Sequence, residues 1–371
     1  MADKRAGLYL HIPFCDGKCG YCDFYSVAAD TDVMQKYCDA LVSEIKGAAR
    51  LFCNYTIDTI YIGGGTPSLL PIGTLARILD AISDFSLDLK EVTVEANPAD
   101  HLDPKSYARL GIDRISLGVQ SLSDPVLKAI GRRHDARTAI AALERCAEHL
   151  PRVSADLIVG LPGTTPAEDV ASVQGVLPYV GHVSQYLLKL DPASPMAKAV
   201  AAGKTVLPDD DAAVDAYERV AEELRQNGFA RYEISNFARE GEQSLHNLKY
   251  WKRLPYIGLG AAAHSFIGDT RYENPADLTR YCSGVSVGHG NVRGQTIGKE
   301  EAVFETVMLG LRLSEGFSIE EVNRAFDIDF LRDYAEELRE VGFMLRSDNG
   351  RLRLKEECFL LESAVARAFL R

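Results

Sequence analysis

Three cysteines stand close together near the amino terminus of the chain. The segment HIPFCDGKCGYC places Cys15, Cys19 and Cys22 in C-x-x-x-C-x-x-C spacing. A proline and two glycines in this segment disfavour a continuous helix, so the spacing predicts a loop wrapped around a ligand. Three thiolates in one loop suit a 4Fe–4S cluster, in which the iron that lacks a protein ligand can bind a substrate or cofactor directly.

Two other uses of clustered cysteines fit this spacing less well. A structural zinc site takes four ligands, usually as two separated pairs, and no second pair follows at zinc-finger distance. A thioredoxin-like interpretation of Cys19-Gly-Tyr-Cys22 leaves Cys15 without a role. Zinc and simple packing remain the minor alternatives. We predict that the other cysteines do not bind the cluster: Cys38, Cys53, Cys146, Cys282 and Cys358.

Glycines and polar residues follow several strand-like runs. The glycines of GGGTP (63–67) allow backbone N–H groups to approach a ligand closely. Glu95 lies in an otherwise apolar strand, where a buried carboxylate is costly unless it is paired. Asn97 and Gln120 also follow strand-like runs. Because ligands of parallel α/β folds bind at the carboxyl ends of the strands, these residues are predicted to share one site with the cysteines.

The pattern of about the first 190 residues predicts alternating strands and helices. Strand-like runs occur at 8–12, 59–62, 92–96, 114–119, 153–161 and 183–190. Helix-period segments occur at 33–50, 72–82, 125–130, 136–149 and 168–177. This alternation indicates an α/β fold with a parallel sheet and helical crossovers, either doubly wound or a barrel. Six strands are too few for a complete eightfold barrel.

The rest of the chain is predicted to extend this unit and then to form a helical domain. A helix over 209–227 and a strand-like run at 231–238 continue the first unit. Helices over 300–313, from Ser318 onward and over 329–341 precede a hairpin with an Asn349-Gly350 turn, which is typical of a winged helix. We therefore divide the chain into residues 1–240, 241–297 and 298–371. The 329–341 helix is mostly acidic, so we do not expect it to enter a DNA groove.

Composition and charge exclude several classes of protein. The chain has 371 residues, of which 46% are apolar and 25% are charged, as in a globular protein with a large core. A formal net charge of −12 argues against nucleic acid as a partner. No run approaches the roughly 18 apolar residues of a membrane span, and no secretory signal opens the chain. We therefore expect a cytoplasmic location.

Taken in order, these motifs resemble those of the radical S-adenosylmethionine (SAM) enzymes. Within that superfamily, the chain is similar to the oxygen-independent coproporphyrinogen III oxidase (HemN) group through YLHIPFC, GGGTPS, EANP, RISLGVQS, DLIVGLPG and HNLKYW. The resemblance implies a partial (β/α)6 barrel with a 4Fe–4S cluster on Cys15, Cys19 and Cys22. It also implies SAM contacts from Tyr9, Tyr21, Gly64, Gly65, Thr66, Glu95, Gln120, Arg132 and Asp156.

The resemblance assigns different parts of SAM to these residues. In the family the glycine loop holds the amino group of SAM, and the position of Glu95 binds the ribose hydroxyls. The positions of Gln120, Arg132 and Asp156, with those of Tyr21, Gly65 and Thr66, lie around a second SAM. Without the resemblance, Arg132 could be a surface residue and Asp156 a helix cap.

Two departures from the oxidase pattern favour another branch of the group. The oxidase has a further cysteine two residues after the third one, where this chain has Phe24, and it has a longer N-terminal extension. Both departures resemble the heme-chaperone branch, in which an H-N-x-x-Y-W motif is associated with heme binding. By this resemblance His246 is an axial ligand of heme iron, and Tyr250 and Trp251 cover the porphyrin. The residues alone favour a structural role at a domain junction.

The implied function is to bind heme and to transfer it to acceptor hemoproteins, such as respiratory enzymes, with the cluster and SAM as cofactors. One alternative is an oxidase-like radical SAM enzyme of porphyrin biosynthesis, and another is a non-catalytic SAM-binding regulatory module. Whether SAM is cleaved, whether the chain is an enzyme and whether it is a homodimer are left open. GLGAAA (258–263) fits a dinucleotide fingerprint only weakly, since no β-α-β unit is predicted around it. The role of His264 is also open.

Overall fold

The strands of the protein form one large mixed sheet and two small ones. The computed structural model describes residues 4–28 and 30–371, so the first residues of the segment in which we predicted no secretory signal lie outside it. The strands are β1 (Lys4–Ile12), β2 (Phe14–Cys15), β3 (Val27–Ala28), β4 (Tyr55–Gly64), β5 (Ser86–Ala96), β6 (Arg114–Gln120), β7 (Arg152–Val159), β8 (His182–Leu187), β9 (Ala230–Glu233), β10 (Asn236–Ala238), β11 (Tyr256–Leu259), β12 (His264–Ile267), β13 (Thr270–Glu273), β14 (Gln295–Thr296), β15 (Phe317–Ser318), β16 (Leu345–Asp348) and β17 (Arg351–Leu354).

Helices connect most of these strands. They are α1 (Thr31–Leu51), α2 (Ile72–Ile82), α3 (Pro104–Arg109), α4 (Asp124–Ala129), α5 (Ala136–Ala147), α6 (Pro166–Val176), α7 (Pro195–Ala201), α8 (Asp210–Gln226), α9 (Leu245–Trp251), α10 (Leu278–Cys282), α11 (Lys299–Arg312), α12 (Ile319–Phe326), α13 (Phe330–Asp333), α14 (Ala335–Val341) and α15 (Glu362–Arg367). Short 3-10 turns lie at Pro67–Leu69, Val287–His289, Gly342–Met344 and Glu356–Leu361. No helix in the described part of the chain is long and apolar enough to span a bilayer.

A curved parallel sheet is the centre of the fold. Strands β1, β4, β5, β6, β7 and β8 are neighbours in this order and pair in parallel. They are the six strands that the sequence pattern predicted, and the partial (β/α)6 barrel is confirmed. One further parallel strand, β11, was not predicted and pairs with the free edge of β1. The antiparallel strands β12, β13 and β14 continue that edge, and β10 and β9 continue the other.

Alternation along the barrel strands separates apolar from polar side chains. On β1, Leu8, Leu10 and Ile12 are fully buried in the main core with the apolar residues of α1. Tyr9 and His11 lie between them and face the barrel interior, because successive side chains of a strand point to opposite faces. Polar residues occupy most corresponding interior positions of the other strands: Thr59, Tyr61, Glu91, Thr93, Glu95, Arg114, Ser116, Ser154, Asp156, His182 and Ser184.

The C-terminal unit has its own small core. A three-stranded sheet in the order β15-β17-β16 packs with α11 to α15. Asn349 and Gly350 form the turn of the β16–β17 hairpin with φ of 50° and 75°, as a tight hairpin turn requires. The single helix predicted over 329–341 is wrong. It is divided into α13 and α14, because the backbone leaves the helical conformation at Tyr334 (φ −112°, ψ 26°), whose ring stacks on Phe330.

Candidate cluster and SAM pocket

One pocket lies at the carboxyl ends of the barrel strands. Its volume is ≈ 390 Å³, and the loop between β2 and β3, the glycine loop after β4 and the ends of β5 to β8 enclose it. All the residues predicted to bind the cluster or SAM line it, except Tyr9: Cys15, Cys19, Tyr21, Cys22, Gly64, Gly65, Thr66, Glu95, Gln120, Arg132 and Asp156. We call it the cluster pocket below.

The three cysteines border the same side of the cluster pocket. Their thiols are partly exposed and form no disulfide. Thr66 Oγ1 lies 3.6 Å from the Sγ of Cys15, and Arg132 Nη1 lies 3.6 Å from the Sγ of Cys19. Among residues 4–28 and 30–371, no three His, Cys, Asp or Glu side chains converge on a single metal ion. A 4Fe–4S cluster needs no such convergence, since each cysteine binds a different iron, so the three thiols fit this cofactor.

The glycine loop approaches the cysteine loop so closely that side chains would not fit. The amide of Gly65 donates to the carbonyl of Ile12 at 2.9 Å, and the amide of Thr66 donates to that of Phe14 at 2.8 Å. A Cβ atom on Gly65 would lie 2.6 Å from the carbonyl oxygen of Phe14. Gly64 has a φ of 107°, which L side chains rarely adopt. The backbone between β4 and α2 is therefore fixed directly beside the cysteines.

Glu95 is a carboxylate held on two sides within the cluster pocket. Tyr61 donates its hydroxyl to Oε1 at 2.8 Å, and the amide of Gly64 donates to Oε2 at 2.9 Å. The pKa of Glu95 is raised to about 7, mainly by burial; nearby Asp156 contributes to the increase, and the two hydrogen bonds oppose it. The carboxyl is thus poised to change its charge near neutral pH unless a ligand hydrogen-bonds to it.

Arg132 connects the cysteine loop with the strand ends. Its Nη2 donates to Asn97 Oδ1 at 2.6 Å and also to the carbonyl of Gly118, and Asn97 donates to Thr66 Oγ1 at 3.0 Å. The Nε of Arg132 is buried without a hydrogen-bond partner. A buried donor without an acceptor is costly, so this atom is a candidate contact for a bound ligand.

Asp156 and Gln120 complete the far wall of the cluster pocket. Ser116 donates to Asp156 Oδ1 at 3.1 Å. Burial raises the pKa of Asp156, while hydrogen bonds from Ser184 and Ser116 oppose the shift. Gln120 has a φ of 66°, a left-handed conformation that is uncommon outside glycine and marks a local constraint at the end of β6.

Sequence reasoning missed two polar residues of this region, Tyr61 and Ser116. Both lie at alternate positions of their strands, two residues before a glycine and in register with other polar interior residues. This alternation of polar residues in the sequence could have predicted that both side chains face the barrel interior. Tyr9 lies outside the lining of the pocket, with its hydroxyl 2.9 Å from His11 Nδ1. Its contact with SAM stays a prediction.

The HNLKYW segment lies elsewhere, at the opposite end of the barrel. The whole segment lies in α9, which contacts β4 and β5 on the side facing away from the cysteines. His246 is fully buried, with Nδ1 2.9 Å from Thr59 Oγ1 and Nε2 2.9 Å from the hydroxyl of Tyr250. Burial, together with the nearby charge of Lys249, lowers the pKa of His246 to about 3, so the imidazole is neutral.

Buried charges hold α9 in place. The carboxylate of Glu91 accepts the backbone amides of Leu245 and His246 at 3.1 and 3.0 Å. Arg114 donates to Glu91 at 3.0 Å, to Ser154 at 3.1 Å and to the carbonyl of Glu242 at 2.9 Å. Lys249 pairs with Asp58 at 2.7 Å. We call this arrangement of α9 with its barrel partners the α9 plug, because it closes the lower end of the barrel.

Trp251, the last residue of α9, faces outward. It lines a groove of ≈ 480 Å³ between α9 and the C-terminal unit, together with Leu254, Leu313 and Phe326. The guanidinium carbon of Arg312 lies 4.3 Å from the centre of the indole ring. The structure therefore separates the residues predicted to bind heme: His246 and Tyr250 face the barrel interior, and Trp251 faces this groove.

Two further features of the sequence have simple structural outcomes. GLGAAA forms the end of β11 and a turn into the antiparallel strand β12, so it is not part of a β-α-β dinucleotide site. His264 begins β12, is exposed and does not line the cluster pocket. Its role remains open.

Known proteins resemble this chain over its whole length. Residues 9–173 match the Radical SAM superfamily, and residues 297–361 match the HemN C-terminal domain. Proteins named heme chaperone HemW from Lactococcus lactis, Mycobacterium tuberculosis and Bacillus subtilis are 34%, 37% and 33% identical to it. These alignments cover 100%, 100% and 98% of this chain and 98%, 96% and 98% of those proteins.

A solved structure agrees with this relationship at the level of the fold. Coproporphyrinogen III oxidase (HemN) from Escherichia coli superposes with a TM-score of 0.85, covering 99% of this chain and 90% of that one at 22% sequence identity. At 22% identity this superposition shows the fold alone. The HemW proteins are at least 33% identical over nearly the whole chain, and identity at that level shows the family. The chain therefore belongs to the HemW family within the radical SAM superfamily.

Proposed function

We propose that this protein is a heme chaperone, which binds heme and delivers it to acceptor hemoproteins. The observation that carries the proposal is the full-length similarity to HemW proteins, which includes both the cysteine loop and the HNLKYW segment. Membership of the radical SAM superfamily implies a 4Fe–4S cluster and SAM as cofactors. Eight unpaired thiols and an oxygen-sensitive cluster suit the reducing cytosol as its compartment.

We propose that Cys15, Cys19 and Cys22 hold the cluster in the cluster pocket. Bound there, the cluster with SAM supplies one-electron chemistry and an iron that SAM can coordinate. The glycine loop offers backbone donors beside the thiols, and Glu95 offers a carboxylate for the ribose hydroxyls. The wall formed by Gln120, Arg132 and Asp156 suits the second SAM that the family resemblance implies, with Tyr21, Gly65 and Thr66 opposite; Tyr9 is proposed as a contact of the first SAM.

The HNLKYW segment is the proposed heme-binding segment. Trp251 is its member beside a surface groove, and an indole face suits a planar porphyrin. His246 has both ring nitrogens engaged inside the barrel, so it can coordinate iron only after its contacts with Thr59 and Tyr250 are broken. Tyr250 is proposed to move with it. Binding of heme iron through His246 would thus require displacement of the α9 plug.

One other function comes from the sequence resemblance to the HemN group. It is that of an oxidase-like radical SAM enzyme of porphyrin biosynthesis. Phe24 stands where that group has a further cysteine, and it is 63% exposed at the rim of the cluster pocket. This difference opposes the oxidase activity but not SAM cleavage as such. A non-catalytic SAM-binding regulatory module is the remaining alternative.

The test measures heme binding, heme transfer and product formation on one anaerobically reconstituted preparation. Hemin titration should give a saturable Soret band, and the loaded protein should restore activity to a heme-free respiratory oxidase. Incubation with SAM, a reductant and coproporphyrinogen III should yield no decarboxylated porphyrin. Heme binding without transfer would overturn the chaperone function, and decarboxylated product with stoichiometric deoxyadenosine would establish the oxidase alternative.

A further inference from the structure

We propose that Tyr61 and His246 are positioning residues for Glu95, which they hold in the orientation that binds the ribose diol of SAM. The inference rests on the proposed function of Glu95 as the ribose-binding carboxylate. In this proposal His246 and Tyr250, the residues of HNLKYW that face the barrel interior, influence ligand binding in the cluster pocket.

The first contact fixes the plane of the carboxylate. Tyr61 donates to Oε1 of Glu95 and the amide of Gly64 donates to Oε2, at 2.8 and 2.9 Å. An ionised carboxylate can accept about four hydrogen bonds, so these two leave one or more acceptor sites on each oxygen. Glu95 lines the cluster pocket, so a ligand in the pocket can reach these remaining acceptor sites. Two free acceptors on adjacent oxygens match a vicinal diol.

The second contact fixes Tyr61. Its ring lies 5.3 Å from the imidazole of His246 between ring centres, at an angle of 30°, and 6.2 Å from the ring of Tyr9. Tyr61 follows Thr59 by two residues on β4, and Thr59 Oγ1 is hydrogen-bonded to His246. His246 therefore contacts two successive interior side chains of the strand that carries Tyr61. A change in the position of the imidazole should therefore change the position of the tyrosine ring.

The third contact fixes His246. Its Nε2 is hydrogen-bonded to Tyr250, and its own backbone amide donates to Glu91, which the buried Arg114 neutralises. The imidazole is neutral, so it adds no uncompensated charge between the tyrosines. The contacts run from Glu91 and His246, which are buried, to Tyr61 and Glu95, which are partly buried. A displacement of His246 should therefore change how Glu95 meets a ligand.

The experiment compares the affinity for SAM with that for its 2′-deoxy analogue, by calorimetry on anaerobically reconstituted protein. Glu95→Gln is the benchmark for loss of the ribose contact. Tyr61→Phe removes the hydroxyl bound to Glu95 and should lower SAM affinity about tenfold while reducing the preference over the 2′-deoxy analogue. His246→Gln and Tyr250→Phe should act in the same direction by about threefold.

The matched control is Tyr217→Phe, because Tyr217 is a buried tyrosine whose hydroxyl donates to the carbonyl of Ile234, outside this set of contacts. It should leave both affinities unchanged. If Glu95→Gln reduces the preference for the ribose hydroxyl while folded Tyr61→Phe and Tyr250→Phe proteins do not, the positioning inference is wrong and the role of Glu95 stands. If Glu95→Gln itself leaves the preference intact, the ribose assignment fails, and the inference fails with it. The two tyrosine variants keep the test decisive should His246→Gln not fold.

Discussion

The two ends of the barrel satisfy their polar groups in different ways. In the cluster pocket, three thiols are partly exposed without a disulfide, and the Nε of Arg132 is buried without a partner. In the α9 plug, the side chains of Arg114 and Glu91 are 2% and 0% exposed and each makes several hydrogen bonds within the protein. Arg132 at the upper end thus keeps a buried donor without a partner, whereas the charged pair of Arg114 and Glu91 at the lower end has its partners within the chain.

This difference predicts which end supports folding. Removing one partner of a buried ion pair leaves the other charge buried and unpaired, which strongly destabilises the folded state. Removing a partly exposed thiol or carboxylate that faces a pocket exposes no such charge. We therefore expect substitutions in the cluster pocket to abolish ligand binding with little effect on stability. Substitutions in the α9 plug should instead lower stability with little effect on the cluster or on SAM, except where they act through Tyr61.

The largest expected effect is loss of the cluster. The triple variant Cys15→Ala, Cys19→Ala, Cys22→Ala should retain no iron or sulfide after anaerobic reconstitution, because these thiols are its proposed ligands. Its melting temperature should stay within about 3 °C of cluster-free wild type, since the thiols are not part of the core. The control is the double variant Cys53→Ala, Cys282→Ala, which removes two exposed thiols and should keep the full cluster. A full complement of iron in the triple variant would contradict the assignment.

SAM binding at this cluster can be tested on the same preparations. SAM should perturb the electron paramagnetic resonance spectrum of the reduced cluster, because three thiolate ligands leave one iron open. The measurement is a titration of the reduced protein with SAM at fixed cluster concentration. An unchanged spectrum at saturating SAM would exclude direct coordination, although not binding elsewhere in the pocket.

The next effect concerns stability at the lower end. Arg114→Met should reduce the free energy of unfolding by roughly 3–5 kcal/mol, because Glu91 stays buried without its cation. Urea titration of the apoprotein measures it. Arg152→Met is the control: Arg152 is 26% exposed and pairs with Asp113 at 3.2 Å, so its loss should cost less than about 1 kcal/mol. Equal losses in the two variants would remove the distinction between the ends of the barrel.

The sequence was more informative about the cluster pocket than about the α9 plug. Cys15 and the glycines after β4 belong to short local motifs, and the rule that ligands bind at strand ends brought them together correctly. The six barrel strands were visible because their apolar runs alternate with helices. Strand β11 was not, because four residues beside a glycine-alanine run do not distinguish a strand from a turn.

The α9 plug depends on contacts between distant residues. His246 meets Thr59 across 187 residues of sequence, and Ser244 and Leu245 meet Glu91 across 153 and 154 residues. No local pattern in HNLKYW shows which of its side chains is enclosed. The buried carboxylate of Glu91 and the buried guanidinium of Arg114 look like ordinary charged residues until the strand register places them on the interior face.

Heme binding can be tested separately at Trp251, which faces the groove, and at His246, which is buried in the barrel. Trp251→Ala should weaken heme binding by at least about thirtyfold if the groove receives the porphyrin, because large aromatic side chains dominate such contacts. His246→Ala should also weaken heme binding while leaving the cluster intact if the imidazole coordinates iron. Hemin titration and iron content measure both. Unchanged heme affinity and an unaltered Soret band in folded His246→Ala would restrict His246 to its positioning role.

The smallest expected effect is a difference in pH dependence. Burial raises the pKa of Glu95 to about 7 from 4.5, so in SAM-free protein the folded state holds a proton that the unfolded chain has released, and stability falls as the pH rises between these values. Burial lowers the pKa of His246 to about 3 from 6.5, so stability rises with pH between these values. Tyr61 and Asp156 face Glu95, and Lys249 and Tyr250 face His246.

As the pH rises, the stabilities of Glu95→Gln and His246→Gln relative to wild type should therefore change in opposite directions. From about pH 5 to about pH 6.5, Glu95→Gln should gain on the order of 1 kcal/mol relative to wild type, and His246→Gln should lose a similar amount. Urea unfolding of SAM-free protein at several pH values in this range gives both difference curves. The criterion is the sign of the slope when the difference in unfolding free energy between each variant and wild type is plotted against pH, because the size of that difference depends on burial. Slopes of the same sign would mean that one of these groups is solvated in the folded protein, and the contrast between an open upper end and a closed lower end would then fail at that residue.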